Sequence, residues 1–316
     1  MRITMRRLMK RIITDLNDYY DEWLALSKQN IEVGYSIGSE LLKEQTLGIP
    51  KGKLMLYCAG VGQGKTSSSI PLFALPNIIA GNNVTVISNE QNKEDYTNML
   101  LTTVLHTQIS GTEKITRQDV LKKAFSPFQE KKITEAVEWL KKQKGQITFV
   151  TLYDYSIKEI KEIIEYQKSK WNSHIYLYDT LKIPEENSNG VPHDELNKYV
   201  SRLFDVARSQ DVSIVASTQL NVTNMSNKVL TLSDIGTSKR IADCAEVALA
   251  FRELTEEEID EYKPIKNNKA ISLDKDKHYI VYFILKNRNG DTKKQVIAEF
   301  NQDYNIIKDI GYIKIL

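Results

Sequence analysis

Apolar residues in this chain follow two different periods, and the two alternate from one end to the other. Short stretches rich in apolar residues occupy 54–59, 84–88, 147–152, 175–179, 212–217, 247–251, 279–285 and 294–300. Each run is short and stops at polar or turn residues, so each predicts a strand buried on both faces. Between the runs, apolar positions recur every three to four residues. That spacing predicts helices over about 66–79, 93–106, 156–171 and 194–209, and a pair over 116–144 broken near Ser126-Pro127. Strands that alternate with helices imply an α/β fold with a mainly parallel, twisted sheet and helices on both faces. The last two runs flank the turn 286–290 and read as a hairpin that extends one edge antiparallel.

The first thirty residues differ from the rest. Leu8, Ile12, Ile13, Leu16, Tyr19, Tyr20 and Trp23 make an apolar stripe at helical spacing, with no Gly or Pro to interrupt it. We expect an N-terminal helical segment over 1–31 that acts as a linker or oligomerisation element, and a single large domain over 32–316. Residues 34–52 read as a connector that turns into the first strand at Gly48-Ile49-Pro50-Lys51-Gly52.

Composition narrows the possibilities. The 316 residues are 41% hydrophobic, enough for a sizeable core, and the net charge is +2. No apolar run approaches the ~20 residues that span a bilayer. The basic start lacks the apolar core of a secretory signal, so a cytoplasmic protein without membrane partners is expected. Two cysteines, Cys58 and Cys244, lie far apart with no partner at metal spacing, and no zinc site is expected. Nucleic-acid contact must come from local patches such as Arg2, Arg6, Arg7, Lys10 and Arg11. The acidic run 253–261 reads as a solvated helix face.

The chemistry concentrates where the first central strand ends. Ala59-Gly60-Val61-Gly62-Gln63-Gly64-Lys65-Thr66-Ser67 joins that strand to a helix. This is the layout of a phosphate-binding loop, with Ala59 where the strict pattern has its first Gly. Glycines let backbone N–H groups converge on phosphate oxygens. Lys65 would reach the β- and γ-phosphates, and the Thr66 hydroxyl would hold Mg²⁺. Sites in open α/β sheets lie at the carboxyl ends of the strands, so the residues that end the other strands matter. They are Glu90, Asp179 and Gln219. Asp179 fits the magnesium-side carboxylate of phosphate-loop enzymes. Thr180 follows it where many such ATPases carry their glutamate, which leaves Glu90 as the available general base. Gln219 could sense the γ-phosphate. On the residues alone, Glu90 also fits a helix N-terminal acid, and Gln219 a satisfied loop amide.

The order of these segments resembles the DnaB-type replicative helicases, which have a RecA-like phosphate-loop ATPase core. The resemblance runs from about residue 32 to the end. It rests on Asn89-Glu90, Tyr178-Asp179, Ser217-Thr218-Gln219-Leu220-Asn221, the stretch 234–251 and Lys286-Asn287-Arg288-Asn289-Gly290. The family implies ATP and Mg²⁺ as cofactors and hydrolysis between the subunits of a ring, with a hexamer as the expected form. It implies that Glu90 is the base, Asp179 the metal-side carboxylate and Gln219 a sensor. Lys286 and Arg288 would reach the nucleotide of a neighbouring subunit. Arg288 read without the family is a surface arginine in a hairpin turn. The family usually carries a helical collar ahead of its linker helix. Here about 30 residues precede the core, which puts primase contact in question and points to a loader or DNA as an aid to assembly. Such a short form would suit a phage or mobile element.

Two loops that follow strands, 181–193 and 221–240, are expected to face single-stranded DNA. Lys228, Lys239 and Arg240 in the second suit a phosphate backbone, and neither loop offers aromatics for stacking. Ordinary surface loops would read the same way. The implied function is an ATP-driven helicase that translocates 5′-to-3′ and unwinds duplex DNA. A RecA-like recombination ATPase that forms filaments, and a nucleotide-switched loader or scaffold, remain open.

Overall fold

Strand β3 (Leu54–Ala59) is buried along its whole length and shows how the core is arranged. Leu54, Leu56 and Cys58 point into one apolar cluster, while Met55, Tyr57 and Ala59 point into another. Successive side chains on a strand face opposite ways, so a run of six apolar residues needs cover on both sides. Burial of this kind contributes roughly 1.5–3 kcal/mol for each large aliphatic side chain.

The computed structural model describes residues 16–29, 32–153, 155–182, 192–221, 228–235 and 239–314. The chain divides into two compact units, Met1–Val33 and Gly34–Leu316. In the first unit, α1 (Leu16–Ser27) leaves Leu16, Tyr20, Trp23 and Leu24 exposed. Leu8, Ile12 and Ile13 of the expected stripe lie outside the described residues.

The second unit opens with β1 (Gly34–Tyr35), α2 (Glu40–Thr46) and β2 (Ile49–Pro50). The expected connector thus holds a short helix and a two-stranded sheet, β1 with β2 antiparallel. Next come β3, α3 (Lys65–Ser69), α4 (Leu75–Ile79), β4 (Val84–Ser88), α5 (Lys93–Gln108), α6 (Arg117–Lys122), α7 (Pro127–Lys141), β5 (Ile147–Thr151), α8 (Ile157–Trp171), β6 (Ile175–Asp179), α9 (Pro192–Gln210) and β7 (Ser213–Gln219). The chain ends with β8 (Val247–Glu253), α10 (Glu256–Glu261), β9 (Ile265–Lys266), β10 (Lys269–Ala270), β11 (Tyr279–Asn287), β12 (Lys294–Asn301) and β13 (Ile306–Lys314). Where one helix over 66–79 was expected, α3 and α4 are joined by a π turn at Ile70–Ala74. Pro71 has no N–H to donate to the preceding turn, which loosens the helix there.

Among the described residues the main sheet has the order β10-β9-β13-β12-β11-β8-β3-β7-β6-β4-β5. The pairs from β8 to β5 are parallel, and β11, β12, β13, β9 and β10 extend the β8 edge antiparallel. The α/β fold with a parallel core and helices on both faces is therefore as expected, and the antiparallel edge is wider than the expected hairpin. One face is covered by residues of α2, of the segment 70–78 and of α5 to α7, the other by residues of α8 and α9. Cys58 is fully buried, and burial pushes its thiol up to about 12.

The acidic run departs from its expected solvated state at one residue. Glu258 is buried and forms a two-pronged ion pair with Arg252, at 2.6 and 2.7 Å. Thr255 N–H and Tyr262 Oη–H also donate to it. Burial raises the Glu258 carboxyl's affinity for its proton, but these donors outweigh that and hold its pKa below the usual range.

Candidate functional site

The loop after β3 is shaped by two glycines in the left-handed region, Gly62 at φ 75° and Gly64 at φ 79°. A Cβ on Gly64 would also stand 2.8 Å from Phe300 Cε1, so both conformation and space require glycine there. Gly60 N–H donates to Gln63 Oε1 at 3.3 Å, which turns the Gln63 side chain back onto the loop. Gly60, Val61, Gly62, Gly64, Lys65, Thr66 and Ser67 line a cleft of about 380 Å³. Ala59 is buried in the strand and serves as its last support. Tyr57 and Ser68 share a hydrogen bond of 2.7 Å beneath the loop, fixing the helix start against β3.

Strand order brings the other carboxyl-end residues alongside. Ala59 pairs with Gln219 on β7, and Asp179 on β6 pairs with Ser88, two residues before Glu90. Asp179 accepts from Thr66 Oγ1–H at 2.6 Å and from Ser217 Oγ–H at 2.5 Å. Lys65 Nζ–H donates to Thr180 Oγ1 at 3.3 Å, and Thr180 Oγ1–H donates to the Ser217 carbonyl at 2.9 Å. The Asn89 amide clasps the backbone of Thr180, donating to its carbonyl at 2.8 Å and accepting from its N–H at 3.1 Å. Four adjacent strands are thus laced together at their carboxyl ends, and the lacing holds the groups expected to meet phosphate.

Glu90 and Gln219 line the same cleft. Glu90 is partly exposed and pairs with Lys182 Nζ at 3.1 Å, at the start of the first expected DNA loop. Four further residues line the cleft that local sequence did not single out: Gln91, Met99, Arg117 and Gln302. Arg117 and Gln302 come from α6 and from the turn between β12 and β13, far along the chain from the loop. No spacing rule points at them.

Lys286 and Arg288 stand elsewhere. β11 runs antiparallel to β8, so Asn287 pairs with Val247, at the start of β8. β3 and β8 are parallel, with Met55 beside Val247 and Ala59 beside Phe251. At ~3.3 Å per residue, this puts roughly 13–16 Å of strand between Arg288 and the loop that follows Ala59. Lys286 Nζ–H donates to the carbonyls of Ala242 and Asp243 at 2.8 and 2.9 Å. Arg288 Nη2–H donates to the Asp243 carbonyl at 3.2 Å, and its Nη1 lies 3.8 Å from Glu246 Oε2. Glu246 also holds Lys53 at 2.7 Å. Partial burial, followed by the charge of Arg288, pulls Lys286 below the usual lysine range.

Of the expected DNA residues, Lys228 is exposed and paired with Glu261 at 2.8 Å, and its carbonyl accepts from Arg252 Nη2–H at 2.5 Å. Lys239 and Arg240 begin the 3₁₀ turn Lys239–Cys244. Residues 183–191, 222–227 and 236–238 of the two loops lie outside the described residues. Among the described residues no cluster of His, Cys, Asp or Glu could hold a metal by itself, and no helix is long and apolar enough to cross a membrane.

Residues 34–309 match the family model for the DnaB-like helicase C terminal domain. No curated protein matches the chain. Among solved structures, one described as an ATPase domain superposes with a TM-score of 0.72 at 20% identity, covering 93% of this chain and 97% of that one. A DnaB-like replicative helicase, whose structure was described with its interactions with primase, superposes with a TM-score of 0.70 at 17% identity, covering 95% of this chain and 68% of that one.

Proposed function

The chain belongs to the DnaB-like helicase C-terminal domain family, and from that we propose that it is the ATP-hydrolysing motor of a ring-forming replicative DNA helicase, active at subunit interfaces. The observation that carries this reading is the separation of Lys286 and Arg288 from their own phosphate loop. The loop lies at the carboxyl end of the parallel strands and the two cations at the amino end, beside the first residue of β8. A cation that stabilises phosphoryl-transfer charge must reach the nucleotide, so Lys286 and Arg288 can play that part only at a neighbour's nucleotide.

In this mechanism the loop N–H groups and Lys65 bind the phosphates of ATP. Thr66 and Asp179, whose oxygens meet at 2.6 Å, present the hydroxyl and carboxylate that suit a magnesium ion. The ion, when bound, neutralises phosphate charge. Glu90 accepts the proton of the attacking water, and release from Lys182 leaves its carboxylate free to do so. Gln219 reports the state of the γ-phosphate to the segment after β7. Arg288 and Lys286 of the adjacent subunit stabilise the charge that develops on the transferred group.

The ring is a homo-oligomer, a hexamer in the family manner. Residues 1–31 dock on the neighbouring subunit through the stripe whose exposed members include Tyr20 and Trp23. Their deletion should leave a folded monomer by light scattering, and intact rings after the deletion would remove this role. Lys228, Lys239 and Arg240 track the backbone of single-stranded DNA, with 5′-to-3′ translocation. A primase or a loader is the further partner.

The central test mixes Arg288→Ala chains, intact at Glu90, with Glu90→Gln chains, intact at Arg288. Neither parent should hydrolyse ATP well. Mixed rings contain interfaces with an intact Glu90 facing an intact Arg288, and should recover ATPase activity. Unwinding of a forked duplex should recover less, because successive sites must fire around the ring. Co-purified mixed rings without recovered activity would defeat the reading.

A further inference from the structure

The first residue of α6, Arg117, shares the cleft with the phosphate loop. Its surroundings are built to hold it there. Its own N–H donates to the Asp303 carbonyl at 2.8 Å, which ties it to the turn that carries Gln302 into the same cleft. On either side, Ile115 and Val120 are buried in the apolar cluster that also contains Met99 and Phe300. Phe300 is the ring packed against Gly64 of the loop. The nearest carboxylate along the chain, Asp119, is engaged elsewhere. It accepts from both the N–H and the Oγ–H of Thr116, at 2.8 Å each, in a reciprocal cap. Among the described residues no carboxylate forms an ion pair with the Arg117 guanidinium. A partly buried guanidinium with no carboxylate partner keeps its fork of N–H donors for an anion in the cleft. The cleft it faces is the one whose loop geometry suits phosphate.

We propose that Arg117 is a further nucleotide-binding residue, acting in cis, whose planar fork of N–H groups donates to phosphate oxygens of the ATP held by the loop. The inference rests on the nucleotide-site reading above and adds a ligand group from the helical segment 116–144. Guanidinium suits the task because it stays charged and binds phosphate through two donors at once. It contrasts with Arg288, which serves a neighbour's site and leaves its own untouched.

The test titrates ATP against wild type, Arg117→Ala, Arg117→Lys, Asp119→Ala and Lys65→Ala, each checked for folding by circular dichroism, and follows ATPase kinetics where there is turnover. Arg117→Ala should weaken ATP binding roughly tenfold or more, the usual size for a lost charge-assisted bond. The loss should appear in KM more than in kcat, since a ground-state interaction is removed. Arg117→Lys should restore part of the affinity. Asp119→Ala should lower the melting temperature and leave affinity near wild type. Unchanged affinity in Arg117→Ala, beside lost binding in Lys65→Ala, would overturn the proposal and leave the site standing. Equal losses in Arg117→Ala and Asp119→Ala would assign the effect to the helix, and overturn it as well. Retained binding in Lys65→Ala would remove the site itself, and this proposal with it.

Discussion

At the carboxyl end of the parallel strands, Asp179 accepts from Thr66 and Ser217, Lys65 leans on Thr180, and Asn89 holds Thr180 in turn. At the amino end of the same strands, Lys286 and Arg288 rest mainly on neutral carbonyls of one 3₁₀ turn, and Arg288 shares the Glu246 carboxylate with Lys53. The first set is a receptor arranged in advance by its own chain, with polar groups satisfied and buried. The second is a surplus of positive charge on a half-exposed surface, the Arg288 side chain being 52% accessible. A preorganised receptor binds by itself, whereas a surplus of charge acts when another molecule brings an anion to it. On the proposed mechanism, the carboxyl end binds ATP and holds the base, while the amino end adds to the rate only in a neighbour's site.

The strongest way to break that division is Arg288→Ala. Its ATP affinity in isolated chains should match wild type, while steady-state hydrolysis in the assembly falls ~10³–10⁵-fold. Loss of ATP binding in dilute monomers would put Arg288 in its own site and erase the distinction between the ends. Next in size is Glu90→Gln, which should keep ATP binding and lose ~10²–10⁴ in turnover. Phosphate release at the wild-type rate would take the base away from the carboxyl end. Smaller still is Glu246→Gln, which removes the carboxylate shared by Lys53 and Arg288. Hydrolysis should fall a few-fold with ATP affinity unchanged, and a changed affinity would tie the two ends together within one chain. The smallest effect concerns DNA. Replacing Lys228, Lys239 and Arg240 with Ala should flatten the dependence of log affinity on log salt by about 0.7 for each phosphate left unneutralised. Lys228 should contribute least, because Glu261 already neutralises it. An unaltered slope would place single-stranded DNA elsewhere.

The carboxyl end was far more legible than the amino end. Gly62, Gly64, Lys65 and Thr66 are consecutive or nearly so, and their chemistry depends on local backbone conformation. Glu90, Asp179 and Gln219 could be read because each closes an apolar strand, and a parallel sheet gathers strand ends on one side. The segment 306–314 was not read as a strand. It forms β13 through pairing with β12, whose register shifts between Ile297 and Ala298. Glu258 was read as solvated because its neighbours are acidic. Its burial follows from Arg252, a strand residue that has to face it before the pair exists.

What the sequence determined by itself is what nearest neighbours can decide. The unbroken apolar run 54–59 demands a strand with two covered faces, glycines permit the loop's positive φ angles, and the spacing of apolar runs demands an α/β sheet. What tertiary structure decided is which distant segments meet. β11 pairs antiparallel with β8 and so carries Arg288 away from its own nucleotide cleft, and the Asp303 carbonyl draws Arg117 into that cleft. Strand order and register come from long-range packing of both apolar clusters at once, and local spacing does not encode them.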